Sequence, residues 1–164
     1  MPGGDKIRKM ATNPLKMKLY MMKKLPMGAL AGLKVTEMDS EHAVVTVPYK
    51  RLNKNPFRSM YFAVQSMAAE LSSGILALAL VMDAPKPVSM LVLKMQAAFT
   101  KKARTKIRFE CLDGTKIAQT IAESLKTGEG KTVEVQSVGY DTNNDEVARF
   151  TFVWTFKPKT RIEK

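Results

Sequence analysis

Apolar residues recur along the chain in two rhythms, every three or four positions in three stretches and every second position in six others. Asn13 and Pro14 read as a helix cap and first helical residue, and Leu15, Leu19 and Met22 follow at helical spacing until Pro26 stops the run. Leu30 to Met38 and His42 to Tyr49 carry Val35, Val45 and Val47 on either side of the polar turn Asp39-Ser40-Glu41, which predicts a hairpin. Ser59 to Met82 has no proline and one glycine, and Val64, Ala68, Leu71, Ile75, Leu78 and Met82 stand three or four apart, so a long central helix is expected there. Beyond the breakers Pro85 and Pro87, Ser89 to Thr100 and Lys106 to Leu112 alternate as strands. Thr115 to Lys126 is a short helix ended by Gly128, with Ile117, Ile121 and Leu125 on one face. Thr132 to Tyr140 and Glu146 to Phe156 are two strands about the turn Thr142-Asn143-Asn144-Asp145.

In the last strand Phe150, Phe152, Trp154 and Phe156 share one face, a core surface. The stripe on the long helix must be buried against a sheet, so the order predicts an α+β architecture in which about six mostly antiparallel strands wrap around the central helix. The N-terminal helix and the short inserted helix lie outside that unit. A length of 164 residues fits one domain over 1–164, with residues 1–12 expected to be flexible and residues 13–26 forming the N-terminal helix. That helix keeps Lys16, Lys18, Lys23 and Lys24 toward water. It can cap the core or touch an acidic membrane surface.

Composition narrows the chemistry. The net charge of +12 favours an anionic ligand, yet no basic-aromatic motif or recognition helix is present, so nucleic acid is not an expected partner. Cys111 is the only cysteine, which excludes an internal disulfide and a cysteine-rich zinc cluster and fits a reducing compartment. No long apolar run follows Asp5, Lys6, Arg8 and Lys9, so no secretory signal is expected and the cytoplasm is the default location. Glu70 divides the least polar stretch into runs too short to span a bilayer, and no transmembrane segment is expected. Twelve methionines suit a packed core and equally the walls around a long apolar ligand. His42, the only histidine, sits on an early strand without a nucleophile motif, which argues against a Ser-His-Asp arrangement and a histidine-dependent dehydratase. With no phosphate-binding loop or metal-ligand cluster, no cofactor is expected.

Glu70 is the only residue of Ser59 to Met82 charged at neutral pH, so the helix is expected to be enclosed nearly all round. At about 100° per residue, Glu70 shares its side with Ala63, Ser66, Met67, Ser73, Gly74 and Ala77, mostly small residues that leave room for a substrate. A sheltered carboxylate has a raised pKa and can serve as general base or as nucleophile toward an activated carbonyl. It can equally bond a lysine or backbone group of a neighbouring element. Asn55, before Pro56, is a turn residue by default. The first turn of the helix, around Tyr61, Phe62 and Ala63, offers unpaired N–H groups toward which an oxyanion could point.

The run Asn55-Pro56-Phe57-Arg58-Ser59-Met60-Tyr61-Phe62-Ala63, followed by Glu70, resembles the loop and helix of hotdog-fold acyl-coenzyme A thioesterases, especially the phenylacetate-pathway type. In that family an Asn stands six residues before a His-Gly-Gly element, and an acid follows nine after the His. Tyr61 and Glu70 occupy the second and third of these positions relative to Asn55. The resemblance implies a hotdog domain from about Leu30 to Phe156, and a homodimer, with the possibility of further pairing, whose sheets join edge to edge and whose pockets lie at the interface. It implies that Glu70 activates water or attacks the thioester, that Asn55 positions water or substrate from across the interface, and that the Phe62 N–H binds the oxyanion. Ser89 lies near the place of a water-binding hydroxyl in some relatives, and Lys101, Lys102 and Arg104 resemble residues that meet the phosphates of coenzyme A. The coenzyme A moiety would come as part of the substrate. Tyr61-Phe62-Ala63 departs from His-Gly-Gly, where glycine permits close backbone approach. A second reading is therefore a protein that binds acyl-coenzyme A or fatty acid without turnover.

Overall fold

The computed structural model describes residues 3–159. Three helices come first: α1 (Gly3–Ala11), α2 (Pro14–Lys24) and α3 (Pro26–Ala31). The Asn13 side chain accepts a hydrogen bond from the Lys16 N–H at 3.0 Å, which caps α2 as its sequence predicts. α2 ends at Lys24, just before Pro26 as expected, but Pro26 also occupies the first position of a further helix, α3, where its missing N–H costs nothing. The strand expected from Leu30 is therefore shorter. α3 runs to Ala31, Gly32 turns the chain with φ of +83°, and β1 begins at Lys34.

The strands β1 (Lys34–Met38), β2 (Ala43–Val47), β3 (Val88–Phe99), β4 (Ile107–Cys111), β5 (Lys131–Tyr140) and β6 (Glu146–Pro158) form one sheet in the order β1-β2-β4-β5-β6-β3. Every pairing is antiparallel. The sheet curls around α4 (Phe62–Asp83), and α5 (Gly114–Thr127) packs at its flank. Phe109, Phe150, Phe152 and Phe156 are fully buried with Trp154 beside them, so the aromatic face of the last strand forms the core floor under α4. Two buried hydroxyls, Ser72 on α4 and Ser137 on β5, satisfy each other at 2.7 Å. Cys111 is also buried, and desolvation pushes its thiol up to about 11, away from reactive thiolate.

By length and composition α4 could cross a membrane, but it is the core helix of this domain, with eleven of its residues buried. Its first residue is Phe62 rather than Ser59, because Met60 pairs with Lys54 and Tyr61 remains extended.

The segment before Asn13, expected to be flexible, is helical from Gly3; Met1 and Pro2 lie outside the described residues. Asp83 at the end of α4 anchors it. One carboxylate oxygen accepts from the Gly4 N–H at 2.8 Å, and the other accepts from Arg8 Nη2 at 2.8 Å. Ile7, Met10 and Ala11 complete the contact with the core.

Candidate active site

The middle of α4 carries Glu70 into an apolar recess of about 250 Å³, walled by Met67 and Leu71 of its own helix and by Met21, Lys24, Leu25 and Met27 of α2–α3. Among the described residues no hydrogen bond or ion pair engages its carboxylate. Burial alone raises its pKa above the ordinary 4.5, toward the range useful in proton transfer. Gly74, one turn on, makes the space. A Cβ there would lie 2.9 Å from Glu70 Oε1 and 3.4 Å from Trp154 Cζ2. Ser73 Oγ accepts from Trp154 Nε1 at 3.1 Å and donates to the Glu70 carbonyl at 3.1 Å, which fixes the turn bearing the carboxylate.

The expected wall around Glu70 is thus only partly a lining. Met67 lines the recess and Gly74 touches the carboxylate, but Ser73 is fully buried with its hydroxyl engaged. Ala63 and Ser66 line neither this recess nor the next, and the Ser66 hydroxyl donates to the Phe62 carbonyl at 2.9 Å. The residues that sequence reasoning missed lie upstream, on α2 and α3. Their only signal is the run of exposed methionines and leucines around Pro26.

A second recess of about 360 Å³ lies at the N-terminus of α4, lined by Asn55, Ser59, Phe62, Gln65, Lys101 and Lys102 among others. Asn55 Oδ1 accepts from the Phe57 N–H at 3.0 Å, the Ser59 N–H at 3.2 Å and the Ser59 hydroxyl at 3.2 Å. This organises a tight loop in which Arg58 adopts φ of +57°. Only the Asn55 Nδ2 group is left to meet a ligand. The Phe62 and Ala63 N–H groups have no partner among the described residues, since the first bonds of the helix are made by Val64 and Gln65. The Phe62 ring is 53% exposed and meets Phe99 edge-on at 6.5 Å. Tyr61 is also exposed and packs edge-on against Phe62.

Gln65 is the unforeseen member of this recess. Its Nε2 donates to the Met60 carbonyl at 3.2 Å, while its buried Oε1 has no partner among the described residues. As the only side-chain amide in an apolar helix, it stands out in the sequence. Lys101 reaches the recess, but its ammonium donates to Asp141 at 2.7 Å and Asp145 at 2.6 Å, which ties it to the β5–β6 turn. Lys102 and Arg104 are exposed, and only Lys102 lines the recess. Ser89 is at the start of β3, donating to the Lys157 carbonyl across the β3–β6 pair, and lines neither recess. Among the described residues no group of three or more His, Cys, Asp and Glu could hold a metal ion.

A six-stranded antiparallel sheet in this order, curled around one long helix, defines a hotdog-fold protein. Residues 15–156 match the family described as domain of unknown function DUF4442, and the chain belongs to that family. Solved structures share the architecture. A Pseudomonas aeruginosa protein described as of unknown function and a probable thioesterase is 20% identical, with a TM-score of 0.73 over 89% of this chain and 97% of that one. A Chlorobaculum tepidum protein of unknown function is 14% identical, with a TM-score of 0.77 over 96% and 98%. A Haemophilus influenzae thioesterase is 12% identical, with a TM-score of 0.62 over 89% and 92%. At these identities the likeness is one of fold. No curated protein matches the chain.

Proposed function

We propose that this chain is a thioester hydrolase acting on acyl-coenzyme A or a related thioester, with Glu70 as its general base and a homodimer as its working unit. The observation that carries this reading is the Glu70 carboxylate, unpaired and desolvated in an apolar recess. Glu70 takes a proton from water, hydroxide adds to the thioester carbonyl, and the oxyanion is received by the Phe62 N–H. The C–S bond then breaks, and the thiolate leaves with the proton held by Glu70. Attack by the carboxylate itself, through an anhydride that water then opens, is the nucleophilic variant of the same site. Asn55 Nδ2 orients water or substrate, and Lys102 and Arg104 meet phosphates of the coenzyme.

The homodimer brings the two halves of this chemistry together. Asn55 and Phe62 line one recess of the chain and Glu70 another, so a second copy is needed to set them face to face. The edge strand β3 suits that role. It pairs only with β6 and exposes Leu91, Leu93, Met95 and Phe99, an unprotected apolar edge that soluble proteins cover.

Thiol release from a panel of acyl-coenzyme A esters tests the reading. Glu70→Gln is expected to lose about 10²- to 10⁴-fold in kcat, the usual contribution of a general base. Asn55→Asp keeps the acceptor that folds the loop and removes the free N–H₂, so it should lose turnover without losing stability. Activity indifferent to both changes would discard the assignment. A second reading, a non-catalytic binder of acyl-coenzyme A or fatty acid, draws on the Phe62 ring standing at the helix start where the resembled family has glycine. Tight ligand binding by the wild type without turnover would favour it.

A further inference from the structure

The helical cap formed by α2 and α3, whose Leu25 and Met27 wall the Glu70 recess, also presents apolar side chains to its outer side. Leu15, Leu19, Met22, Leu25, Met27 and Leu30 are each between 41% and 69% exposed, six large apolar side chains within sixteen consecutive residues. Helical spacing puts Leu15, Leu19 and Met22 on one stripe of α2, and Met27 and Leu30 on one side of α3. Met17 and Met21 take the opposite side of α2 into the core. The exposed stripe is therefore not the side that holds the helix to the protein. Lys16 and Lys23 flank it on one side and Lys18 on the other, and no ion pair engages these three or Lys24 among the described residues.

The charge pattern selects the occupant. From Lys6 to Thr36 the chain has eight lysines and arginines and no acidic residue. Two copies meeting through this cap would set like charge against like charge. A polyanion without an apolar layer would leave the leucines and methionines exposed. We propose that α2 and α3 form a docking face for anionic lipid bilayers, with the apolar stripe in the interface and the flanking lysines on the headgroups. The face lies over the apolar recesses. Lys24, Leu25 and Met27 wall the Glu70 recess, while Leu15 and Lys18 wall a groove of about 720 Å³ between α2 and β1. Met21 and Leu33 line both. Docking would thus set the groove between α2 and β1 beside the lipid, a route for long apolar chains that rests on the hydrolase reading; the docking itself does not.

Co-sedimentation with sucrose-loaded vesicles tests the face. Wild type should pellet with vesicles of phosphatidylcholine containing about one-third phosphatidylserine and remain in solution with phosphatidylcholine alone. At roughly fivefold per lysine near an anionic surface, Lys16→Gln with Lys23→Gln should weaken partition about 25-fold. Leu19→Asp with Leu30→Asp, which line none of these recesses, should abolish pelleting while the thermal midpoint and the hydrolysis of short, soluble thioesters stay at wild-type values. An environment-sensitive fluorophore at Leu19→Cys should shift to the blue on phosphatidylserine vesicles, and the same probe at Gln119→Cys on α5 should not. Glu70→Gln should bind vesicles like wild type, which separates failure of docking from failure of hydrolysis. Equal partition onto both vesicle types, indifference to the leucine substitutions, or salt-sensitive retardation of nucleic acid without vesicle binding would each overturn the proposal.

Discussion

Gly74 lets the position of the Glu70 carboxylate be changed without touching Glu70. In Gly74→Ala the new methyl would stand 2.9 Å from Glu70 Oε1, about half an ångström inside comfortable contact, and 3.4 Å from Trp154 Cζ2, where it fits. The carboxylate is the end of a flexible side chain, so it yields and the helix does not. Replacing glycine by alanine inside a helix contributes up to about 1 kcal/mol, which for a chain of this size raises the thermal midpoint by about 2–4 °C. Turnover should move the other way. A misplacement of about 1 Å can cost 10²-fold, so half that distance should lower kcat roughly tenfold. Differential scanning fluorimetry and steady-state thiol release on the same preparation read both quantities. A variant that is stabilised yet turns over at the wild-type rate would refute the reasoning, because the chemistry would then not depend on where that carboxylate sits.

Two further outcomes follow from charge. Burial raises the Glu70 pKa above 4.5, so the folded protein resists ionisation that the unfolded chain accepts. This opposes folding increasingly as pH rises from about 4.5 to the folded value and by a constant amount above it. Glu70→Gln should therefore have a higher midpoint than wild type near pH 7, with the gap closing below about pH 4; a gap independent of pH would contradict the desolvated site. The hydrogen bond from Lys101 holds Asp141 below its ordinary 3.8, and that bond raises the lysine in turn. The pairing stabilises between these ranges, is lost as pH falls through the depressed Asp141 value, and is lost again as pH rises through the raised lysine value. Lys101→Met should lower the midpoint at neutral pH and approach wild type in strong acid, as thermal scans across pH would show.

Much of this architecture is legible in periodicity because each strand and helix buries one face. Phe150 to Phe156 mark the core by alternation, and Val64 to Met82 mark the central helix by spacing. Glu70 is legible because one charge in an apolar helix needs a reason. Its surroundings are not, since Met21, Leu25 and Met27 reach it from more than forty positions upstream, and local spacing says nothing about such contacts. The same blindness makes Lys101 look like a free phosphate ligand, although Asp141 and Asp145 claim it from forty and forty-four positions away. Asn55 reads correctly as a turn residue, yet only coordinates show that its oxygen is engaged and its nitrogen free. α3 escapes because a proline after a helix signals a stop and a proline beginning a helix signals a start, and the sequence at Pro26 satisfies both.

The anchoring of α1 by Asp83 sets the order of events during synthesis. The carboxylate that receives the Gly4 N–H lies 79 positions after it and must itself clear the exit tunnel before α1 can dock. At 5–20 residues per second, α1 waits about 4–16 s for Asp83 to be made. α1 therefore cannot dock before the central helix is complete, and until it does the far end of that helix stays uncovered in the nascent polypeptide.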